Sequence, residues 1–162
     1  MRWQAEQLPG RTGLRSVAEA NLHVTIAFLG ATPADRLSEV AAAVRDAGRG
    51  MIAPTLTPSR YRETRSVGMV VLTDAGGFAA ALAERVFGAL EALGVYERER
   101  RNWLPHVTVC RFRERPHLSP PLPDLGPLSP SEVALYHSVL RPTGAQYEIV
   151  ESVALGGPNL GA

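Results

Sequence analysis

The chain has 162 residues with 45% hydrophobic and 20% charged side chains, a composition typical of a soluble globular domain that can bury a core. No apolar run approaches the ~20 residues of a membrane helix, and the formal net charge of +1 is too small to argue by itself for extended nucleic-acid binding. The single cysteine, Cys110, excludes an internal disulfide and favours a location in the reducing cytoplasm.

The first half of the sequence predicts two helices and three strands. Apolar periodicity and turn residues predict, in chain order, a short helix over 1–9, a strand over 21–29, a helix from 33 to about 47, and strands near 54–60 and 66–73. Thr32 as N-cap and Pro33 at the first helical position mark the start of the second helix. Gly48 and Gly50 mark its end.

The second half predicts a similar mixture. Gly76 and Gly77 lead into a helix that runs to about Leu93, with apolar residues at helical spacing and Gly94 as its C-cap. A strand over 103–112, a proline-rich loop over 116–130, and strands near 132–140 and 146–155 follow. The last two strands predict a hairpin with its turn at 142–144.

This order of elements predicts an α+β fold. The connections between strands are too short for regular parallel crossovers. We therefore expect a single duplicated domain over 1–162 with two lobes, each an antiparallel sheet with a packed helix, and an active-site cleft between them. Two segments, 21–30 and 103–112, stand about half a chain apart, as an internal duplication requires.

The tripeptide His-Val-Thr occurs once in each of these segments, at 23–25 and at 106–108. Side chains at positions i and i+2 of a strand leave the same face, about 6.5–7 Å apart along the chain. Each copy therefore presents one imidazole beside one hydroxyl: His23 with Thr25, and His106 with Thr108. Facing each other, the two copies would form a cage with two proton-transfer groups and two hydroxyl donors, which suits a phosphate.

The types of basic and metal-binding residues exclude several catalytic mechanisms. All 17 basic residues are arginine, so mechanisms that need a lysine are excluded, namely a lysyl-nucleotide intermediate, a Walker A phosphate loop and a Schiff base. There is no HExxH motif, no pair of cysteines and no carboxylate cluster around either motif, so we expect no metal and no cofactor. A serine hydrolase is not supported either, because no GxSxG motif is present.

Arg111 and Cys110 follow the second motif, and each has a structural and a functional interpretation. Arg111 lies at an odd offset from His106, so it reaches the face of the motif only if the strand ends or bulges near Cys110. Cys110 alternates in phase with His106 and could line the site. We favour its interpretation as a small apolar strand residue.

Three further residues stand near or outside the motifs. Phe28 could stack on a base, but it is out of phase with His23, which favours core packing. His117 lies in the proline-rich stretch and His137 in a strand, and neither belongs to an HxT motif. We interpret both as ordinary loop and strand residues.

The two motifs resemble those of the 2H phosphoesterases. The segments NLHVTIAFLG, LPHVTVCRF and LYHSVLRPTGAQYEIV are similar to segments of the RNA 2′,3′-cyclic phosphodiesterases, historically called 2′-5′ RNA ligases. The likeness extends over about residues 14–157. It implies a duplicated α+β fold with one HxT motif on a central strand of each lobe. Members usually open with an additional strand, so we expect the first strand of the usual fold to be missing here.

The resemblance also implies an activity and the residues that perform it. The activity is metal-independent hydrolysis of RNA 2′,3′-cyclic phosphate ends to a 2′-phosphate. His23 would be the proton donor to the leaving O3′ and His106 the proton acceptor, while Thr25, Thr108 and Arg111 would bind the phosphate. The residues alone do not assign the two imidazoles, because the motifs are nearly symmetrical. The reverse reaction would join RNA ends without ATP.

Three functional hypotheses stay open. The first is hydrolysis of cyclic RNA ends, and the second is the same chemistry on a small cyclic nucleotide such as an ADP-ribose cyclic phosphate. The third is a non-catalytic RNA-end binding protein, against which the two titratable histidines argue. The expected partners are RNA with cyclic phosphate ends, tRNA fragments among them, or small cyclic nucleotides, and the arginines near the motifs favour the polyanion. We expect a monomer that does not bind a membrane.

Overall fold

The computed structural model describes residues 2–8, 10, 13–141 and 144–156. The chain divides into two compact units whose segments alternate along the sequence. Unit 1 comprises residues 1–25, 56–73 and 104–128, and unit 2 comprises residues 26–55, 74–103 and 129–162. Both HxT motifs lie in unit 1. The single duplicated domain stays a prediction.

Unit 1 is built on a four-stranded sheet with the order β1-β4-β3-β2. The strands are β1 (Leu14–Ser16), β2 (Thr55–Glu63), β3 (Val67–Ala75) and β4 (His106–Phe112), and β4 pairs antiparallel with both β1 and β3. A tight turn joins β2 to β3, with the Thr64 N–H donating to the Val67 carbonyl at 2.9 Å. The short helix α1 (Arg2–Gln7) contributes the buried Gln4 side chain to this unit.

Unit 2 packs two helices with a two-stranded sheet. Its elements are α2 (Leu37–Gly48), α3 (Phe78–Ala92), β5 (Glu132–Arg141) and β6 (Gly144–Ala154). A buried apolar cluster joins them, formed by Val40, Val44, Ala47, Leu82, Val86, Leu90, Val133 and Leu155. Helix α3 begins where the Asp74 carboxylate accepts the main-chain N–H groups of Ala79 and Ala80, a side-chain interaction that satisfies orphan donors of the first turn.

The mixed fold with antiparallel sheets and few helices is confirmed. Helix α1, strands β2 and β3, helix α3 and the β5–β6 hairpin lie close to their predicted positions, and Gly94 follows α3 at a φ of 67° as its predicted role requires. Of the predicted turn over 142–144, residues 142 and 143 lie outside the described residues, and Gly144 is the first residue of β6. Within the described part of the chain, no helix combines the length and the apolar character needed to cross a membrane.

The predicted strand over 21–29 is wrong. Residues Glu19–Asn21 form a 3₁₀ turn, and in the rest of this segment only Val24 pairs, as an isolated antiparallel bridge. The chain enters unit 2 after Thr25, where Ile26 and Leu29 pack against the apolar cluster. Strand propensity in this segment is overridden because Ile26 and Leu29, both partly buried, pack in unit 2.

Smaller corrections concern the starts of two elements and one aromatic residue. Pro33 precedes a 3₁₀ turn over Ala34–Arg36, so α2 begins at Leu37 without the predicted threonine cap. Strand β4 begins at His106 instead of 103. Phe28 is 76% exposed, so the preference for core packing was wrong.

Candidate functional site

Strand β4 carries the second motif in the interior of the unit 1 sheet. His106 pairs with Val71 of β3, and Thr108 pairs with Met69. Residues directly opposite each other on antiparallel strands share a face, and alternate residues of one strand do so too. We call this side of the sheet the motif face, defined by His106, Thr108, Val71 and Met69. Both motif side chains are half-buried.

The first motif joins β4 on the opposite edge from β3. Its central residue, Val24, forms the isolated antiparallel bridge with Val107, whose other side pairs with β3. Residues that flank an antiparallel bridge lie opposite each other, on the face away from the bridged side chains. The two opposing pairs are His23 with Thr108, and Thr25 with His106. All four therefore lie on the motif face, where opposite Cβ atoms are about 5 Å apart.

The two imidazoles are held by the same local contact. The Nδ1 atom of His23 lies 2.8 Å from the Asn21 carbonyl, and the Nδ1 atom of His106 lies 2.7 Å from the Leu104 carbonyl. A carbonyl oxygen only accepts, so Nδ1 carries the hydrogen in both rings and Nε2 is the basic atom of each neutral ring. The two motifs are thus equivalent in tautomer although only one lies in a regular strand.

A bulge in β4 determines where Arg111 points. Strand β3 pairs consecutive residues with Thr108 and Cys110, which leaves Val109 as an extra residue in β4. A bulge of this kind reverses the alternation of side chains beyond it. Arg111 therefore shares the motif face, and Cys110 lies on the other face. The strand thus bulges near Cys110, as Arg111 required in order to reach the face of His106. The same bulge puts Cys110 out of phase with His106.

Cys110 belongs to the buried interior on the other face. It is fully buried, and its Sγ atom lies 3.7 Å from the hydroxyl of Tyr61. Burial raises the pKa of the Cys110 thiol, and burial together with the hydrogen bond to Cys110 raises the pKa of the Tyr61 phenol. The interpretation of Cys110 as a small buried strand residue is confirmed.

A buried carboxylate near Tyr61 anchors the loop that follows β4. The Glu63 side chain is 2% exposed and pairs with Arg115 at 3.2 Å. It also accepts the main-chain N–H groups of His117 at 3.1 Å and Leu118 at 2.8 Å. His117 is thus a loop residue, as predicted, and His137 lies in β5, 3.9 Å from Glu148.

Three arginines on the motif face were not singled out from the sequence. Arg15 of β1 pairs directly with Arg111, a position that depends on strand register. Arg60 and Arg62 flank Tyr61 in β2, and the contact of Tyr61 with Cys110 places that tyrosine on the other face. Alternation therefore places Arg60 and Arg62 on the motif face. The Arg-x-Arg spacing was a usable signal for these two.

Metal ligation has no obvious place among the described residues, where no group of three or more His, Cys, Asp or Glu side chains could hold an ion. The groups on the motif face are imidazoles, hydroxyls and guanidinium groups. Such a set can transfer protons and bind the oxygens of an anion. The arrangement suits acid–base chemistry at a phosphate.

The chain is similar in sequence to one family of phosphoesterases. The family described as LigT like Phosphoesterase matches residues 1–61, which include the first HxT motif. No curated protein matches the chain in sequence.

Solved structures of similar fold cover almost the whole chain. The protein TT0787 of Thermus thermophilus superposes with a TM-score of 0.77 at 27% identity, covering 96% of this chain and 91% of that one. E. coli LigT in its apo form gives a TM-score of 0.75 at 26% identity, covering 95% of this chain and 87% of LigT. E. coli LigT has also been crystallised in complex with 3′-AMP, with the same TM-score and identity. The chain is thus similar in sequence to the LigT-like phosphoesterases over residues 1–61, and in fold to E. coli LigT.

Proposed function

We propose that this protein hydrolyses RNA 2′,3′-cyclic phosphate ends to 2′-phosphates without a metal ion, as a monomer in the cytoplasm. The observation that carries the proposal is the pairing of two imidazoles on the motif face, each oriented through Nδ1 by a main-chain carbonyl and each opposite a threonine. Binding alone would not require two titratable groups in equivalent positions. The similarity to LigT-like phosphoesterases adds support from outside the site.

Hydrolysis of a cyclic phosphate needs a proton acceptor on one side of phosphorus and a proton donor on the other. In the proposed reaction, Nε2 of neutral His106 takes a proton from water as the water oxygen bonds to phosphorus. The bond from phosphorus to O3′ breaks, and protonated His23 gives its proton to O3′. After the reaction His106 is protonated and His23 is neutral. Proton exchange with solvent then restores the starting state of each ring. Each transfer contributes about 10²–10⁴-fold in rate.

The remaining groups of the motif face would bind the phosphate itself. The hydroxyls of Thr25 and Thr108 can donate hydrogen bonds to its non-bridging oxygens, which gain charge in the transition state. Arg111 adds a guanidinium group on the same face, which offsets this charge and can bind two oxygens at once. These interactions act on the phosphate and are therefore independent of the base sequence of the RNA.

A small cyclic nucleotide is the second candidate substrate. The observation that favours it comes from the structural neighbour E. coli LigT, which has been crystallised with 3′-AMP, a mononucleotide. The reaction would be identical, because both substrates present the same cyclic phosphate. The two candidates differ only in whether a nucleotide chain upstream of that phosphate improves turnover.

The test is an assay with two substrates in the presence of EDTA. We expect a 2′,3′-cyclic-phosphate oligoribonucleotide to be converted to a 2′-phosphate end, identified by ³¹P NMR or mass spectrometry, and a nucleoside 2′,3′-cyclic phosphate to be converted more slowly. Turnover of neither substrate, with binding of the oligonucleotide retained, would indicate a non-catalytic RNA-end binding protein. Loss of activity in EDTA that zinc or magnesium restores would contradict the metal-independent mechanism.

A further inference from the structure

The two units have opposite charge. Unit 1 contains nine arginines and five carboxylate residues, a formal charge of +4, whereas unit 2 contains eight arginines and eleven carboxylate residues, a formal charge of −3. The overall charge of +1 conceals this difference. A positively charged unit attracts anions, and a polyanion more strongly than a single phosphate.

Acidic side chains do not neutralise the arginines of the motif face. Within the described part of the chain, Arg15, Arg60, Arg62 and Arg111 form no ion pair. The carboxylates in β1–β4 are Glu63, which binds the loop after β4, and Asp74, whose carboxylate accepts main-chain N–H groups at the start of α3. The positive charge of the motif face is therefore available to a ligand.

Arg15 and Arg111 repel each other when no anion lies between their guanidinium groups. Arg15 and Arg111 lie directly opposite each other on neighbouring strands. Like charges in this relation destabilise a sheet, because their side chains leave the same face close together. An anion bound between the two guanidinium groups would remove the repulsion, so the pair favours binding of a phosphate.

Arg60 and Arg62 extend the positive charge beyond the reacting phosphate. They are separated by about 6.5–7 Å along β2, and β2 lies two strands from β4, about 10 Å away. That distance is too long for contact with the phosphate held beside His106 but is within reach of a strand that continues from it. Exposed guanidinium groups at this spacing suit successive phosphates of a flexible single strand.

We propose that the motif face binds the RNA chain upstream of the cyclic end, with Arg60 and Arg62 contacting phosphates beyond the reacting one. This proposal rests on the proposed hydrolysis and specifies its substrate class as an oligonucleotide in preference to a mononucleotide. The contacts are to the phosphate backbone, so the preference is for chain length and not for sequence.

The experiment compares kcat/KM for a cyclic-phosphate oligonucleotide and for a nucleoside cyclic phosphate in two double variants. We expect Arg60→Gln with Arg62→Gln to lower the ratio of the oligonucleotide value to the mononucleotide value roughly tenfold, mainly through KM. The slope of log kcat/KM against log salt for the oligonucleotide should fall by about 1.4, since each lost phosphate contact to a single strand contributes about 0.7.

The matched control removes the same charge from unit 2. Arg49→Gln with Arg100→Gln changes two exposed arginines of that unit and should leave the ratio and the salt slope unchanged. An equal loss on both substrates for the Arg60 and Arg62 variant, or an equal effect of the control variant, overturns the proposal while leaving the hydrolysis intact. If the wild-type protein turns over neither substrate, it is the proposed function that fails.

Discussion

The arginines on the motif face of unit 1 differ from Arg45 and Arg98 of unit 2 in whether they form ion pairs. In unit 2, Arg98 forms ion pairs with Glu84 and Glu91 and stacks over an aromatic ring, and Arg45 pairs with Glu151. On the motif face of unit 1, the arginines have no such partners among the described residues. Surface ion pairs contribute little to stability, but they neutralise charge. The charge of Arg45 and Arg98 is thus neutralised within the protein, whereas that of the motif-face arginines is not.

The units also differ in what stabilises them. Unit 2 has a contiguous apolar cluster between two helices and a hairpin. Unit 1 combines its buried strand residues with buried polar side chains, among them Gln4, whose amide donates to the carbonyls of Val17 and Val109 at 2.9 Å. We therefore expect substitutions on the motif face to lower catalytic activity, and substitutions in the apolar cluster of unit 2 to cause the largest losses in the free energy of unfolding.

The largest effect is expected from the two motif histidines. His23→Asn and His106→Asn should each lower kcat by about 10²–10⁴-fold, because each removes one of the two proton transfers. Steady-state kinetics on the cyclic-phosphate oligonucleotide would measure this, with thermal unfolding confirming that the fold is retained. His137→Asn, an exposed change in β5, is the control and should leave kcat unchanged. Full activity of either motif variant would exclude the two-histidine mechanism.

The sequence predicted the surroundings of the second HxT motif better than those of the first. The second motif was predicted in a strand and lies in one, because β4 is paired on both sides. The first was predicted in a strand and makes only one bridge, since Ile26 and Leu29 pack, partly buried, against the apolar cluster of unit 2. Spacing within each motif could be read from the sequence, whereas the segment's division between two units depends on tertiary packing.

The positions of Arg111 and Arg15 depend on strand register, which could not be predicted from the sequence. The odd offset of Arg111 implied that it required a bulge, but no residue type in HVTVCRF marks the bulge at Val109. Arg15 lies 96 positions earlier in the chain, and only the pairing of β1 with β4 brings it opposite Arg111. Arg60 and Arg62 could have been noticed from their alternation, whereas their common face with the motif required the sheet order.

The largest loss of stability is expected from the apolar cluster of unit 2. Leu90 of α3 is 2% exposed, so Leu90→Ala should lower the free energy of unfolding by about 2–5 kcal/mol through lost burial and a residual cavity. Urea unfolding followed by circular dichroism would measure it. Leu125→Ala, at a residue that is 45% exposed, serves as the control with a far smaller loss. A loss below about 1 kcal/mol at Leu90 would show that this cluster is not the main source of stability.

A smaller loss is expected from the polar anchor of unit 1. Glu63→Gln keeps the size of the side chain but removes the charge that accepts two main-chain N–H groups and pairs with Arg115. We expect the free energy of unfolding to fall by about 1–3 kcal/mol, as for other buried charge-assisted hydrogen bonds. Faster hydrogen exchange at His117 and Leu118 would locate the effect. Glu148→Gln, with a side chain that is 80% exposed, should change neither quantity.

The smallest expected effect concerns alkaline pH and the buried pair on the other face of the unit 1 sheet. The pKa values of Tyr61 and Cys110 are raised in the folded protein, so the unfolded chain releases these protons at lower pH than the folded one. The free energy of unfolding should therefore be constant at neutral pH and fall as pH rises above about 8.5, the usual pKa of a thiol, and more steeply above about 10, that of a phenol. Tyr61→Phe should cost about 1 kcal/mol or less at pH 7, since its hydrogen bonds are long at 3.4 and 3.7 Å.

The variant should then lose less stability than the wild type between about pH 9 and 10.5, because one of the two groups with a raised pKa is gone. Urea unfolding at several pH values would measure both curves, with Tyr136→Phe as the control at a tyrosine that is 41% exposed. Parallel curves for the wild type and Tyr61→Phe would mean that Tyr61 does not contribute to the alkaline loss. A shallower curve for Tyr61→Phe alone would locate the alkaline sensitivity in unit 1, on the face of its sheet that the arginines and histidines do not share.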